Sequence, residues 1–110
     1  MEMNKETESQ IKELQSIEQN MQSVLMQKQA FQLELSEVEN AITELGKTSE
    51  EVYKIVGNIM IKYSKESLNK ELKQKKDLIS LRLKSLDSQE KDLELTSENL
   101  RKKVLSKIKN

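Results

Sequence analysis

Apolar side chains recur along the first half of the chain with alternating steps of 3 and 4. The positions are Leu14, Ile17, Met21, Val24, Lys28, Phe31, Leu35, Val38, Ile42 and Leu45, and nine of the ten are apolar. A seam of that length predicts a long amphipathic helix of coiled-coil type. Lys28 is the one break in it. Of the two readings open to it, a register-setting polar position and a snorkelling side chain, snorkelling is preferred. The residues between are mostly Glu, Gln, Lys and Ser, as a solvated face requires. At 1.5 Å per residue, roughly 40 residues of helix would measure about 60 Å. Gly46 stands where a helix C-cap belongs.

The second half repeats the theme less cleanly. Ser64 is placed to cap a helix, and Glu66 suits the positive end of its dipole. Leu72, Ile79, Leu86, Leu93 and Leu100 then recur every seven residues. Three residues on from each lie Lys75, Arg82, Gln89, Thr96 and Lys103, all polar. Four residues on lie Lys76, Leu83, Glu90, Ser97 and Val104, of which Leu83 and Val104 are apolar. Leu68, Leu78, Leu81 and Leu95 fall beside that second register. Helix is required here, while the companion line of its seam stays open between these sets.

Between the two periodic halves lies the one stretch that asks for β-structure, Val52-Tyr53-Lys54-Ile55-Val56-Gly57-Asn58-Ile59-Met60-Ile61-Lys62-Tyr63. Two runs of β-branched, aromatic and aliphatic residues flank a Gly-Asn pair, which signals a two-residue hairpin turn. Thr48-Ser49-Glu50-Glu51 has the form of a capping box, but no helical apolar run follows, so it reads as a turn into the strand. With Gly57 and Asn58 as the loop, Val56 faces Ile59, Ile55 faces Met60, Lys54 faces Ile61, Tyr53 faces Lys62 and Val52 faces Tyr63. One face, apart from Lys54, shows Val52, Val56, Ile59, Ile61 and Tyr63. The other, apart from Lys62, shows Tyr53, Ile55 and Met60. A hairpin in water keeps one face polar, and this one does not. A lone hairpin is also marginally stable at best, and its free edges invite another strand.

Composition narrows the choices. The chain has 110 residues, 35% charged, 35% hydrophobic and 3% aromatic, with no Pro. That leaves too little bulky apolar surface for an ordinary globular core. Neither Cys nor His occurs, which removes disulfides, thiol nucleophiles, the commonest general base and the commonest metal ligand. No Gly-rich phosphate loop or paired acid cluster is present, so an enzyme is not expected and no cofactor or metal is implied. The segment Met1-Glu2-Met3-Asn4-Lys5-Glu6 lacks the apolar core of a signal peptide, and no segment reads as a membrane span. A soluble, cytoplasmic protein is the expectation.

The formal net charge is zero, but its distribution is lopsided. Residues 1–45 carry 3 basic and 9 acidic side chains, and residues 64–110 carry 13 basic and 8 acidic. Helical halves of opposite sign attract one another and disfavour pairing of either half with itself. Together with the short link, this predicts a mainly α, long antiparallel coiled-coil hairpin with one β-hairpin at its closed end. A single domain over 1–110 is expected, with helix 1 over 8–46, the β-hairpin over 52–63 and helix 2 over 65–108. Both termini would lie at the open end.

With these residues in place, the chain resembles the β-type subunit of prefoldin, an ATP-independent chaperone of archaea and eukaryotes. The resemblance rests on Val52-Tyr53-Lys54-Ile55-Val56-Gly57 and on Ile59-Met60-Ile61-Lys62, set between two coiled-coil helices. The α-type subunit of that family inserts two hairpins, whereas the link here has room for one. The resemblance implies that β-hairpins of several subunits form an oligomeric barrel hub, from which six coiled coils (two α-type, four β-type in archaea) extend. It further implies that non-native proteins are held at the coiled-coil tips and passed to a group II chaperonin. One departure stands out: residues 4–10 are polar, whereas related β-type subunits often carry apolar residues near the N-terminus. This bears on how much the N-terminal side contributes to client binding.

Candidate sites follow from both readings. Hub residues are Val52, Tyr53, Ile55, Val56, Gly57, Ile59, Ile61 and Tyr63. The plainer alternative packs the hairpin on its own helices, but two apolar faces and two open edges are hard to cover that way. Client-binding candidates are Ile11, Leu14 and Ile17 on the first helix and Leu100, Val104, Leu105 and Ile108 on the second. For Leu14, Ile17 and Leu100, plain coiled-coil seam is an equal account, while Leu105 and Ile108 fall off the seam. Met21 and Met26 read as packing or surface residues.

The basic run Arg101, Lys102, Lys103, Lys107 and Lys109 reads first as a solvated helix end complementing the dipole. A nucleic-acid patch lacks aromatic residues for stacking, and the resemblance adds contact with a chaperonin rim. The expected function is thus a holdase subunit of a prefoldin-like hexamer. Its expected partners are an α-type subunit, other β-type subunits, unfolded clients and a group II chaperonin, with no nucleic acid and no membrane. The alternative is a structural coiled-coil spacer or tether.

Overall fold

A computed structural model describes residues 4–109, the last by its backbone alone. Of the span 1–110 expected as one domain, residues 1–3 and 110 lie outside the described residues. The element order is α1 (Lys5–Lys47), β1 (Val52–Val56), β2 (Ile59–Tyr63) and α2 (Lys65–Lys109). The chain is mainly α, with two long helices flanking one antiparallel β-hairpin. Among the described residues, no helix is long and apolar enough to cross a membrane.

Helix α1 begins three residues before the expected position because Asn4 caps it. The Asn4 side-chain oxygen accepts from the Thr7 amide at 2.7 Å, satisfying one of the amides a helix start leaves without a partner. Glu6 and Glu8 follow in the first turn, where the dipole favours acids. The other end corrects the expectation for Gly46. It is no C-cap: helical residues run through it to Lys47, and Gly57 is the one glycine with positive φ. The Thr48 amide continues the ladder onto the Glu44 carbonyl at 3.1 Å. The Thr48 hydroxyl then accepts from the Glu50 amide at 3.2 Å, turning the chain toward β1 as a Thr-led turn does. Helix α2 starts where Ser64 places it, with the Ser64 hydroxyl accepting from the Ser67 amide at 3.3 Å.

Two compact units make up the chain. The terminal unit joins the part of α1 before Ala30 to the part of α2 after Leu83, and the hairpin unit is Ala30–Leu83. Within the terminal unit Ile17, Val24, Leu86 and Val104 are buried. The ion pairs Glu6–Lys107, Glu18–Arg101 and Lys28–Glu90 cross between its helices. Partner numbers on α2 fall as those on α1 rise, so the helices are antiparallel there. Within the hairpin unit Val38, Leu45 and Ile79 are buried. Phe31 lies under the Arg82 guanidinium and Glu34 pairs with Lys75, again in antiparallel order.

The seam of α1 holds throughout: each of its ten positions, Lys28 included, is buried or half-buried. On α2 the companion line left open above resolves in favour of the residues four on. Lys76, Leu83, Glu90, Ser97 and Val104 are buried or half-buried, whereas Lys75, Arg82, Gln89, Thr96 and Lys103 are exposed. Hydrophobicity alone could not select that line, since Lys76, Glu90 and Ser97 are polar. Long stems and ion pairs let such residues occupy seam positions.

Candidate functional site

The hairpin follows from its turn. Gly57 sits at φ 61°, a conformation that costs any residue with a Cβ and that glycine adopts freely. With Asn58 at negative φ, this is the pattern of a II′ turn, whose twist suits the flanking strands. The ladder pairs Val52 with Tyr63, Tyr53 with Lys62, Lys54 with Ile61, Ile55 with Met60 and Val56 with Ile59. This is the register read from the sequence. Among the described residues the sheet has these two strands, so each keeps one edge unpaired.

The base of the hairpin is held by polar contacts that sequence reasoning missed. Lys54, noted only as a break in an apolar face, donates to Glu71 Oε2 on α2 at 3.0 Å. The Tyr63 hydroxyl donates to Glu71 Oε1, and the Lys54 ammonium lies 5.1 Å from the centre of the Tyr63 ring. The Tyr63 hydroxyl, and then Lys54, hold the Glu71 carboxyl below its ordinary range. The same contacts raise Lys54 and Tyr63, in each case chiefly through the hydrogen bond to Glu71. A lysine on an otherwise apolar face needs a carboxylate or water. That was the available signal, though nothing in the sequence named Glu71. On the opposite face Glu51 receives Lys62 at 2.9 Å and the Tyr53 hydroxyl at 3.0 Å. Those two donors, Lys62 first, depress the Glu51 carboxyl.

Beyond this base the hairpin is bare. Ile55 is 69% exposed, Met60 65% and Ile59 64%, and Val56, Ile61 and Tyr53 are also exposed. Val52 and Tyr63 are half-buried. Beside the base runs an apolar groove of about 380 Å³, lined by Ala41, Leu45, Val52, Tyr53, Leu68 and Leu72 among others. The result is a fixed stem carrying an uncovered apolar tip with open edges. Such a surface suits pairing with another chain.

The residues put forward for client binding all lie in the terminal unit but differ in exposure. Ile17 and Val104 are buried, and Ile11, Leu14 and Leu100 are half-buried. Leu105 is 54% exposed and Ile108 41%, so these two offer the apolar surface. Met21 is half-buried and Met26 is exposed. Of the basic run, Arg101 meets Glu18 at 3.2 Å, Lys102 meets Glu98 at 3.5 Å and Lys107 meets Glu6 at 2.8 Å. Lys107 in turn lowers the Glu6 carboxyl.

Lys28 corrects its expected role. It does not snorkel to water: its side chain is 19% exposed and its ammonium lies 2.7 Å from Asp87 and 2.9 Å from Glu90. Those acceptors, Asp87 first, raise its pKa. Glu90 is itself a seam position of α2.

The model of the prefoldin subunit family matches residues 8–110. The prefoldin subunit beta of Archaeoglobus fulgidus is 40% identical over 85 residues, 76% of this chain and 73% of that one. The prefoldin subunit beta of Sulfurisphaera tokodaii is 36% identical over 101 residues, covering 90% and 81%. In three dimensions the chain is similar to the crystal structure of the prefoldin beta subunit from Thermococcus strain KS-1. The TM-score is 0.91 at 32% identity, over 99% of this chain and 97% of that one.

Proposed function

The chain belongs to the prefoldin family as a β-type subunit, and on that basis we propose that it is a holdase subunit of a hetero-hexamer. The family is one of chaperones, not of enzymes. In this reading the hairpin joins those of an α-type subunit and of other β-type subunits in a barrel hub. Non-native proteins are held in the terminal units, and the loaded assembly passes them to a group II chaperonin in the cytoplasm without nucleotide.

One observation supports assembly above the others: Ile55, Met60 and Ile59 stand about two-thirds exposed on a two-edged hairpin whose base is clamped. A protein that served as a tether would have no use for such a tip. Burying a side chain of this size contributes about 1.5–3 kcal/mol, so several together drive association once a partner strand is at hand. Client capture rests on Leu105 and Ile108 with help from the half-buried Ile11, Leu14 and Leu100. Each contact is weak, and several coils acting on one client raise avidity without new contacts.

The test is mass in solution, by light scattering or native mass spectrometry, alone and with an α-type partner. The hub reading expects a defined hetero-oligomer in the mixture. A strict monomer under both conditions leaves the tether. Client capture is tested by removing residues 101–110 from the assembled complex. Suppression of client aggregation should weaken while the mass of the assembly, less the deleted residues, is retained.

A further inference from the structure

The stretch of α2 that carries the exposed client residues, 99–108, holds four basic side chains and no acidic one. Leu105 and Ile108 are one helical turn apart, at i and i+3, so they share a face. Four and three residues before Leu105 lie Arg101 and Lys102, whose side chains are 60% and 72% exposed. Glu98 is the last acidic residue of the chain. The apolar pair is therefore headed by two cations with no carboxylate on the helix beyond Glu98. Their partners, Glu18 and Glu98, are themselves 56% and 63% exposed. Ion pairs so open to water are weak and exchange readily for a carboxylate brought by a ligand.

We infer that the terminal unit selects among non-native segments, preferring apolar stretches flanked by Asp or Glu to those flanked by Lys or Arg. This rests on the client-binding reading above and adds a charge rule to it. The apolar side chains supply contact with any unfolded segment, and Arg101 and Lys102 decide which segments dwell there. Like charges brought together at such a surface are disfavoured. A polyanion is a poorer fit. No aromatic residue occurs in α2 to stack on bases, and two exposed apolar residues make a small foot for a lipid surface.

The test uses the full chain in its assembled complex and two labelled, unstructured peptides with the same apolar core. One peptide is flanked by Glu and the other by Lys, and binding is followed by fluorescence anisotropy. Two exposed charge contacts give the Glu-flanked peptide about 3- to 10-fold tighter binding at low salt. The gap should close at about 0.5 M salt, where screening is strong. R101S/K102S should bring the ratio of the two affinities close to one at low salt. L105S/I108S should weaken both peptides alike, with unchanged circular-dichroism melts for both variants.

Equal affinity for the two peptides at low salt would overturn the charge rule and leave client capture standing. Failure of both peptides to bind, or indifference of both to L105S/I108S, would take down the client reading and this one with it. A dT homopolymer or phosphatidylglycerol vesicles that bind more tightly than the Glu-flanked peptide, and are lost in R101S/K102S, would assign the surface to a polyanion and overturn the proposal.

Discussion

Lys28 and Glu90 meet at 2.9 Å from seam positions on facing helices of the terminal unit. Like Lys28–Asp87, this pair sets a base of α1 against an acid of α2, the reverse of the remaining cross-helix pairs. Glu6–Lys107, Glu18–Arg101 and Glu34–Lys75 each set an acid of α1 against a base of α2, as the charge imbalance of the two halves dictates. The reversed pair is also the least solvated of them, with Lys28 at 19% and Glu90 at 23% exposure. A slipped register would leave both charges half-buried against apolar neighbours. Polar seam residues are well attested as devices that fix register at a cost in stability.

That relationship predicts an outcome for a double-mutant cycle. Lys28→Leu strands the Glu90 carboxylate, and Glu90→Leu strands the ammonium save for the more exposed Asp87. Each single variant should therefore melt below the parent. The double variant places two leucines face to face, and should melt above either single variant and at or above the parent. Thermal melts by circular dichroism check this. Additive losses in the double variant would mean that the two residues do not act on one another.

The contrast between Lys28 and the rest of the seam also marks how far the sequence was legible. The α1 line needed only the 3-and-4 spacing, and every position in it is covered. Hairpin register came from Gly57-Asn58, because a two-residue loop leaves one way to pair the strands. What stayed hidden were contacts between polar residues distant in sequence. Lys54 and Glu71 are 17 residues apart, and Lys28 and Glu90 are 62 apart. Periodicity records where apolar atoms must go, not which carboxylate answers which lysine. The companion line of α2 was ambiguous for the same reason, being completed by Lys76, Glu90 and Ser97. Gly46 misled because glycine marks a helix end only where φ turns positive. Asn4 was overlooked because no apolar residue follows it closely.

The two glycines should respond to alanine with opposite signs. A Cβ at Gly46 would meet no atom within 4 Å and the residue is helical, so Gly46→Ala should stabilise by up to about 1 kcal/mol. Gly57→Ala has equal space but a φ of 61°, and should destabilise the hairpin by about 1–2 kcal/mol. Melting temperatures of the two variants, one above and one below the parent, check the pair.

The clamp at Glu71 gives the hairpin a defined pH window. Glu71 is depressed in the folded chain, from an ordinary value of 4.5. Its contribution is present above that value and is lost as pH falls through the lower folded value. Tyr63 and Lys54 are raised from 10.0 and 10.5. Their contributions are full below those values and fade as pH rises through the folded ones. Attachment of the hairpin to α2 should thus be strongest between about pH 4.5 and 10. Subtracting the 295 nm absorbance titration of Tyr63→Phe from that of the parent isolates the Tyr63 phenol. Its midpoint should lie above 10.0 and drop in Glu71→Gln. A midpoint unmoved by that change would break the link between Tyr63 and Glu71.

The exposed cross-strand pair Ile55–Met60 separates assembly from folding. These two side chains face one another in the ladder and are 69% and 65% exposed, so the isolated chain gains little from them. Replacing Ile55 by Lys and Met60 by Glu, which sets opposite charges across the ladder, should leave helix content and the melt of the isolated chain unchanged. In an assembly that buries them, each contributes about 1.5–3 kcal/mol. Losing both should therefore weaken association with an α-type partner by about 10²- to 10⁴-fold. The clamp residues provide the control: Glu71→Gln should loosen the base of the hairpin and reduce association less, because the apolar tip survives. Association measured by native mass spectrometry across a dilution series distinguishes the cases. If Ile55→Lys/Met60→Glu assembles as the parent does, the hairpin tip is not where subunits join.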